Sequence, residues 1–422
     1  MVKSLSFVLI ATLAVGCKWT EFDDLEGDTW VTTIGKPNND SSDYGVAIQR
    51  GLKSSASGGK LVVIGAGQAQ YTEQQFADNG DSELANTALK LNTQFGIGNI
   101  DAQPILIADP TSDEVSLIVN SGGQSIAVLT GTAGLVAHQI FGPDLPDAAT
   151  YMKAPPRADM PTAEQPTQPL VGAADSVYGA YFANVPNPQP KCKLVDDVGT
   201  AITVRGLGAA RITQTATDDV IVWTSTGKLL LYPGDVFNGP APFGVSCAGG
   251  MTGPLAGSVV ADTGFLPAKG SQIVMIDGKY ALLVGHKDVG DSASYLGLYD
   301  VTTGPTAAKS PTRIGNPVTV PDLRTATVLD TANGRFIAAG YPTATFDGVK
   351  AGKVLLFPLD VATGITEIPA ATLHDASPES DQAFGRAVAA MPFNGQNILA
   401  IAADNEIFVY FRTTLYDETR IR

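Results

Sequence analysis

The sequence predicts an all-β fold, a β-propeller of short strands that repeat about every sixty residues. Six blades are counted directly and a seventh is expected. Three observations predict it. Charged residues make up 16% of the 422 residues and 45 residues are glycine, where ordinary soluble domains carry about 25% charge. That composition suits many strands and tight turns, and it argues against long helices or a coiled coil. Hydrophobic residues reach 44%, enough to bury a core, so disorder is excluded as the main state. One pattern also recurs along the chain: an apolar strand, a small or polar turn, then a second strand ending in Gly or Ala.

The chain opens with MVKSLSFVLIATLAVGC. Lys3 supplies a positive start, and Leu5 to Val15 form an apolar run. That run is too short to span a bilayer, which needs about 20 apolar residues, but it suits a signal-peptide core. Its ending, Leu13-Ala14-Val15-Gly16-Cys17, resembles the bacterial lipobox. The resemblance implies cleavage before Cys17 and acylation of that cysteine, with an ordinary signal peptide as the alternative. Residues 1–16 are then the signal peptide and 17–29 a lipidated tether. Lys18 in place of aspartate after the cysteine leans towards the outer membrane. No later stretch reaches 18 apolar residues, so lipid is the expected membrane attachment.

The paired strands follow in order. They are GVAIQRG with KLVVIGAG, VSLIVN with SIAVLTG, ARITQTATDD with VIVWTS, QIVMIDG with YALLVG, TATVLDTANG with RFIAAG, and GRAVAAMPFNG with ILAIAA. The second strands begin near Leu61, Ser125, Val220, Tyr280, Arg335 and Ile398, at separations of 64, 95, 60, 55 and 63 residues. A third strand follows most pairs, as in TALKLN, GKLLLYP, YLGLYDV, GKVLLFPLDV and EIFVYF. Such a period fits propeller blades, whereas a sandwich would not repeat at fixed spacing. The long separation coincides with residues 143–169, which hold 7 of the 27 prolines and read as an extended surface loop. Behind it, SVYGAYFANV and TAITVRG are expected to form the degenerate seventh blade. The propeller is placed at 30–415 and a tail at 416–422.

The segment Asp381 to Phe411, DQAFGRAVAAMPFNGQNILAIAADNEIFVYF, resembles the FG-GAP repeat of the integrin α-subunit propeller. Phe384-Gly385 match its opening, Asn394-Gly395 its turn, Ala402-Ala403 its middle and Phe408-Val409-Tyr410 its end. Tyr44-Gly45 with Ile64-Gly65-Ala66-Gly67, and Ala339-Gly340-Tyr341-Pro342, carry the same pattern in the first and fifth repeats. The resemblance implies calcium in Asp-rich turns. None of the corresponding turns here has more than two carboxylates, fewer than a hard cation usually takes. Asp330 with Asn333, and Asp218 with Asp219, are read as turn formers, and no metal or other cofactor is expected.

Other motifs carry less. Gly65-x-Gly67 lacks the third glycine of a dinucleotide fingerprint, since Gln70 stands there, and no clean helix follows. Gly59-Lys60, Gly227-Lys228, Gly278-Lys279 and Gly352-Lys353 lack the Ser or Thr of a phosphate loop and read as turns leading into strands. His138, His286 and His374 lie in different repeats without ligand spacing. His286-Lys287-Asp288 is read as a solvated loop, and Asp23-Asp24 and Asp196-Asp197 as acidic loop decoration. Cys192 and Cys247, the pair left after Cys17, are expected to form a disulfide in an oxidising compartment. Closing that loop contributes roughly 4 kcal/mol in the chain-entropy model; two separate thiols are the alternative.

The balance of 27 basic against 42 acidic residues, a net −15, argues against a nucleic-acid partner. The expected function is a lipid-anchored, non-catalytic binding, adhesion or scaffolding module of the bacterial cell envelope. Its expected partners are the membrane, through the lipid, and an envelope protein or glycan. The alternative is an envelope hydrolase or lyase working in the central channel, which requires converging acid–base or metal groups that the sequence does not display.

Overall fold

The computed structural model describes residues 31–35, 45, 47–50, 60–64, 70–76, 82–90, 105–107, 116–121, 124–131, 134–140, 145–153, 167–179, 192–212, 218–234, 255–286, 294–302, 313–331, 333–375, 377–393, 396–404 and 406–410. Among them every regular element longer than a turn is a β-strand, and no helix is long and apolar enough to cross a membrane.

Strand β1 (Val31–Gly35) stands apart from its sequence neighbours. The next sheet takes β2 (Ala47–Arg50), β3 (Lys60–Ile64), β4 (Gln70–Phe76) and β5 (Ser82–Lys90) in order. A further one takes β6 (Ile105–Ile107), β7 (Ser116–Ser121), β8 (Gln124–Gly131) and β9 (Gly134–Ile140). Then come β10 (Ala148–Lys153), β11 (Thr167–Ala173), β12 (Ser176–Gly179) and β13 (Cys192–Val195). The following sheet holds β14 (Val204–Ala210), β15 (Asp219–Thr224) and β16 (Lys228–Tyr232). Strand β17 (Leu255–Ala256) crosses back to pair in parallel with β13, and β18 (Ser258–Asp262) returns to the edge of β16.

Next are β19 (Gln272–Ile276), β20 (Tyr280–Gly285), β21 (Ser294–Asp300) and β22 (Arg313–Val320). They are followed by β23 (Thr325–Thr331), β24 (Gly334–Tyr341) and β25 (Lys353–Asp360), with β26 (Gly364–Ile365) and β27 (Ala371–Leu373) both on β25. The last sheet is β28 (Ala387–Phe393), β29 (Gln396–Ala402) and β30 (Glu406–Tyr410), and β1 completes it, with Val31 opposite Tyr410.

Apart from the β13–β17 pair, the ladders are antiparallel. First strands of neighbouring sheets lie side by side: β6 with β10, β10 with β14, β14 with β19, β23 with β28, and β28 with β2. The sheets of β14 to β16 and of β19 to β21 are covered on both faces, which is why their central strands read as continuous apolar runs rather than alternating ones. Within β15, Val220 and Val222 enter the core shared with β10, β11 and β13. Their neighbours Ile221 and Trp223 point the other way, into the core shared with β19 to β21. There Trp223, Phe265 and Tyr295 pack ring on ring at centroid distances of 5.0–5.9 Å.

Most apolar runs named from the sequence are strands, but their phase differs in two places. VSLIVN and SIAVLTG are the second and third strands of their sheet, because the three-residue β6 precedes them. The 95-residue separation disappears on that phasing. Second strands begin at residues 60, 116, 167, 219, 280, 334 and 396, in steps of 56, 51, 52, 61, 54 and 62. TAITVRG is not the tail of a degenerate sheet; it leads into β14, the first strand of the next one.

The insert at 143–169 also needs correction. Ala148 to Lys153 form β10, paired residue by residue with β11 from Gly172 to Thr167. Only 154–166 lie outside the described residues within that span after Leu145. Pro169 sits inside the ladder opposite Tyr151, so proline density misjudged the flanks.

Two local devices repeat. Gly227 and Gly352, each at positive φ before a Lys, leave room that a Cβ would take from the carbonyl oxygens of Phe265 and Phe384. Phe384 also donates its amide to the Ala351 carbonyl at 2.8 Å. The Gly-Lys pairs at 227, 278 and 352 each precede a strand directly, and β4, not a helix, follows Gly65-x-Gly67.

Candidate functional site

Charge collects at the end of the sheets where the first strands begin. Asp147 immediately precedes β10, Arg205 is the second residue of β14, and Lys269 lies three residues before β19. Arg324 and Arg386 immediately precede β23 and β28. Four of these five positions are cationic in a chain of net charge −15. Asp147 is held from two sides, by Arg205 at 3.4 Å and by Lys269 at 2.6 Å. Lys269 belongs to a sheet two steps away from that of Asp147, so its side chain passes the start of β14 to make the bond.

Arg324 and Arg386 come together through backbone. The Arg324 amide donates to the Gly340 carbonyl at 2.9 Å, and Gly340 packs directly on Gly385, the residue before Arg386. Arg386 forms an ion pair with Asp404 at 2.9 Å. Arg324 has no side-chain hydrogen bond or ion pair among the described residues. Its side chain is exposed yet crowded by protein; desolvation, then the Arg386 cation, lowers its pKa.

His286 follows β20 at the same end and is buried, 8% exposed. Its Nδ1 lies 2.9 Å from the Leu323 carbonyl oxygen. A carbonyl only accepts, so Nδ1 carries the proton and donates it. The His286 amide donates to Ser271 Oγ, and its carbonyl accepts from the Ala268 amide. The reading of this residue as part of a solvated loop is therefore wrong: its backbone holds the turn before β19 while its imidazole holds Leu323, the residue before Arg324.

Burial, outweighing the Leu323 hydrogen bond, pushes the His286 pKa down to about 4. The unfolded chain takes up a proton near pH 6.5 while the folded one does not, so stability rises with pH between about 4 and 6.5 and falls on acidification. The slope due to His286 is at most about 1.4 kcal/mol per pH unit. Urea unfolding at pH 7, 6, 5 and 4.5 should show it, and His286→Gln should flatten the curve by one proton across that window. An unchanged slope in the variant would remove His286 from this role.

The other residues marked in the sequence are scattered. Asp196 is no surface decoration: it accepts the Val198 and Thr200 amides and the Lys228 ammonium, which hold its carboxyl below the ordinary range. Asp219 is fully buried and receives the Ile212 and Gly234 amides. Asp330 and Asp277 both bind Arg335, at the opposite ends of their strands from Arg324. His374 stacks on Phe346. Cys192 is buried at the start of β13, while Cys17, Cys247, Lys287 and Asp288 lie outside the described residues. Sequence reasoning missed Asp147, Arg205, Lys269, Arg324 and Arg386. Their one visible signal is that each stands at the opening of a short apolar run.

No protein-family model and no curated protein matches the chain. Among solved structures it is similar to a humanized mutant of the Chaetomium thermophilum Polycomb Repressive Complex 2 bound to the inhibitor GSK126, with 9% identity, a TM-score of 0.50, and coverage of 90% of this chain and 97% of that one. It is also similar to BBS1N in complex with ARL6DN, from mercury-soaked crystals at a TM-score of 0.49 and lead-soaked crystals at 0.47. In both cases identity is 10%, with coverage of 92% of this chain and 98% of that one. The Polycomb Repressive Complex 2 structure contains a β-propeller, and the four-stranded antiparallel sheets agree with it: the chain has a propeller-like all-β fold.

Proposed function

We propose that the chain is a seven-bladed propeller acting as a non-catalytic binding module, anchored by lipid on Cys17 at the bacterial cell envelope. The observation that carries the ring is the succession of sheets through shared cores, together with β1 completing the sheet of β28 to β30. Pairing β1 with β30 brings the first and last described strands into one sheet, and a ring leaves only short, protected edges. The binding reading is supported by the state of the ionisable groups that gather where first strands begin. Asp147 and Asp404 are ion-paired and His286 is neutral and committed to Leu323, so these groups form a structural set rather than a poised acid and base.

Lipid attachment rests on the lipobox-like Leu13 to Cys17, and the FG-GAP likeness on Phe384-Gly385 and the repeats that share its pattern. The Cys192–Cys247 disulfide is favoured by topology: β17, eight residues after Cys247, runs beside β13, which begins at Cys192. Radiolabelled palmitate should mark the wild type and not Cys17→Ser; equal labelling of both would sink the anchor. Mapping of unreduced peptides should recover Cys192 linked to Cys247. For the function, capture from cross-linked envelopes should return a reproducible protein or glycan partner, whereas turnover of a glycan, ester or peptide substrate by the purified protein would overturn the non-enzyme reading.

A further inference from the structure

We infer that the lipid on Cys17 turns one particular end of the sheets towards the bilayer, the end at which first strands turn into second strands. This rests on the anchor reading of Cys17 and adds to it which surface the membrane meets. The opposite end, with Asp147, His286, Arg324 and Arg386, is then the one left open to a partner.

The direction of β1 carries the inference. Val31 lies opposite Tyr410, and Tyr410 lies opposite Leu399 on β29. Two residues before Leu399, Asn397 donates from Nδ2 to the Asp330 carbonyl at 2.8 Å. Asp330 stands beside the turn at which Thr331 faces Gly334. Arg335 joins Asp330 to Asp277, which lies in the turn between β19 and β20. These contacts gather the hairpins of three successive sheets at one end and place Val31 with them. From there β1 runs to the other end, where Gly35 faces Glu406 and Gly340 packs on Gly385.

Residues 17 and 31 are joined by fourteen peptide bonds, at most about 50 Å of extended chain. An acylated cysteine stays at the bilayer surface, so this length limits how the body can turn. With the hairpin end towards the bilayer, Val31 is already near the surface and short spans suffice. With the other end towards it, the chain must first run back past a sheet whose seven-residue β28 is about 23 Å long. That run takes up nearly half of the largest possible reach. Far fewer conformations satisfy it, and the entropy of joining two fixed points opposes it. The end turned away also carries the longer described connections, residues 263–271 and 342–352, whereas two residues join β23 to β24. Long surface connections are where binding residues concentrate.

Two exposed residues beyond opposite ends of β24, Asn333 and Thr345, report the orientation. The full-length protein, purified with its lipid, is incorporated into vesicles of phosphatidylethanolamine and phosphatidylglycerol that carry nickel-chelating headgroups. A fluorophore is placed on Asn333→Cys or on Thr345→Cys, with labelling of the unsubstituted chain as background. Quenching by nickel should be at least about twofold stronger at position 333, because the eight residues of β24 separate the two sites by about 26 Å. Equal quenching, or stronger quenching at 345, in protein that floats with the vesicles would overturn the orientation and leave the anchor standing. Failure to float, or equal flotation of Cys17→Ser, would reject the anchor and the orientation with it. Inserting about twenty Gly and Ser residues after Lys18 should erase the difference, since the longer chain reaches either end. A difference that persists would overturn the tether as its cause.

Discussion

Gly340→Ala should cost at least about 3 kcal/mol of stability, the range of severe overpacking in a rigid core. Gly340 lies in β24, and a Cβ there would overlap the Gly385 carbonyl oxygen. The neighbour is backbone, so no side chain can swing aside. Relief would require the sheet of β23 to β25 to move away from that of β28 to β30. Such a shift opens the core of Leu329, Ala338, Leu356, Val388 and Ile401 that the two sheets share. It also disturbs Arg324, whose amide is held by Gly340. Gly199→Ala is the matched control. Gly199 has φ +85 and nothing within 4 Å of a built Cβ, so that variant should lose only the about 1–2 kcal/mol of left-handed strain. Urea midpoints for the two proteins decide the matter, and equal losses would show that close packing between these sheets contributes nothing.

Two deletions in one segment should differ even more. Removing residues 145–168 should abolish the cooperative unfolding transition. It takes away all of β10, whose six residues pair with β11 and whose neighbours are β6 and β14. It also takes away Asp147, the shared anchor of Arg205 and Lys269. Removing residues 155–165 should leave the melting temperature within a few degrees of the wild type. Lys153 and Thr167 are register partners, so a short connection joins them without strain. Shortening a loop recovers about 0.6 kcal/mol of closure entropy per halving of its length. Circular dichroism melts distinguish the outcomes, and a cooperative melt of the longer deletion would show β10 to be dispensable.

The strands were legible because each carries its own signal. DVIVWT, KLLLY and YALLVG are continuous apolar runs, and successive side chains of such a strand enter two different cores. The repeat spacing was legible for the same reason, since every sheet needs about the same length of chain. Where a strand is short or proline-bearing the signal fails: β6 has three residues and β11 contains Pro169. That is why two sheets were misphased and why β10 with the start of β11 was taken for a loop. Charged side chains carry no such local signature. Nothing in the neighbourhood of Lys269 points to Asp147, 122 residues earlier, and nothing near Val31 points to Tyr410. His286 reads as part of a polar loop, yet it is buried because Leu323 and Ser271 close over it. The sequence by itself determined the strand class, the period and the apolar faces, because short-range periodicity encodes burial. Only the tertiary structure decided which strand ends meet, and therefore which charges are paired among the described residues.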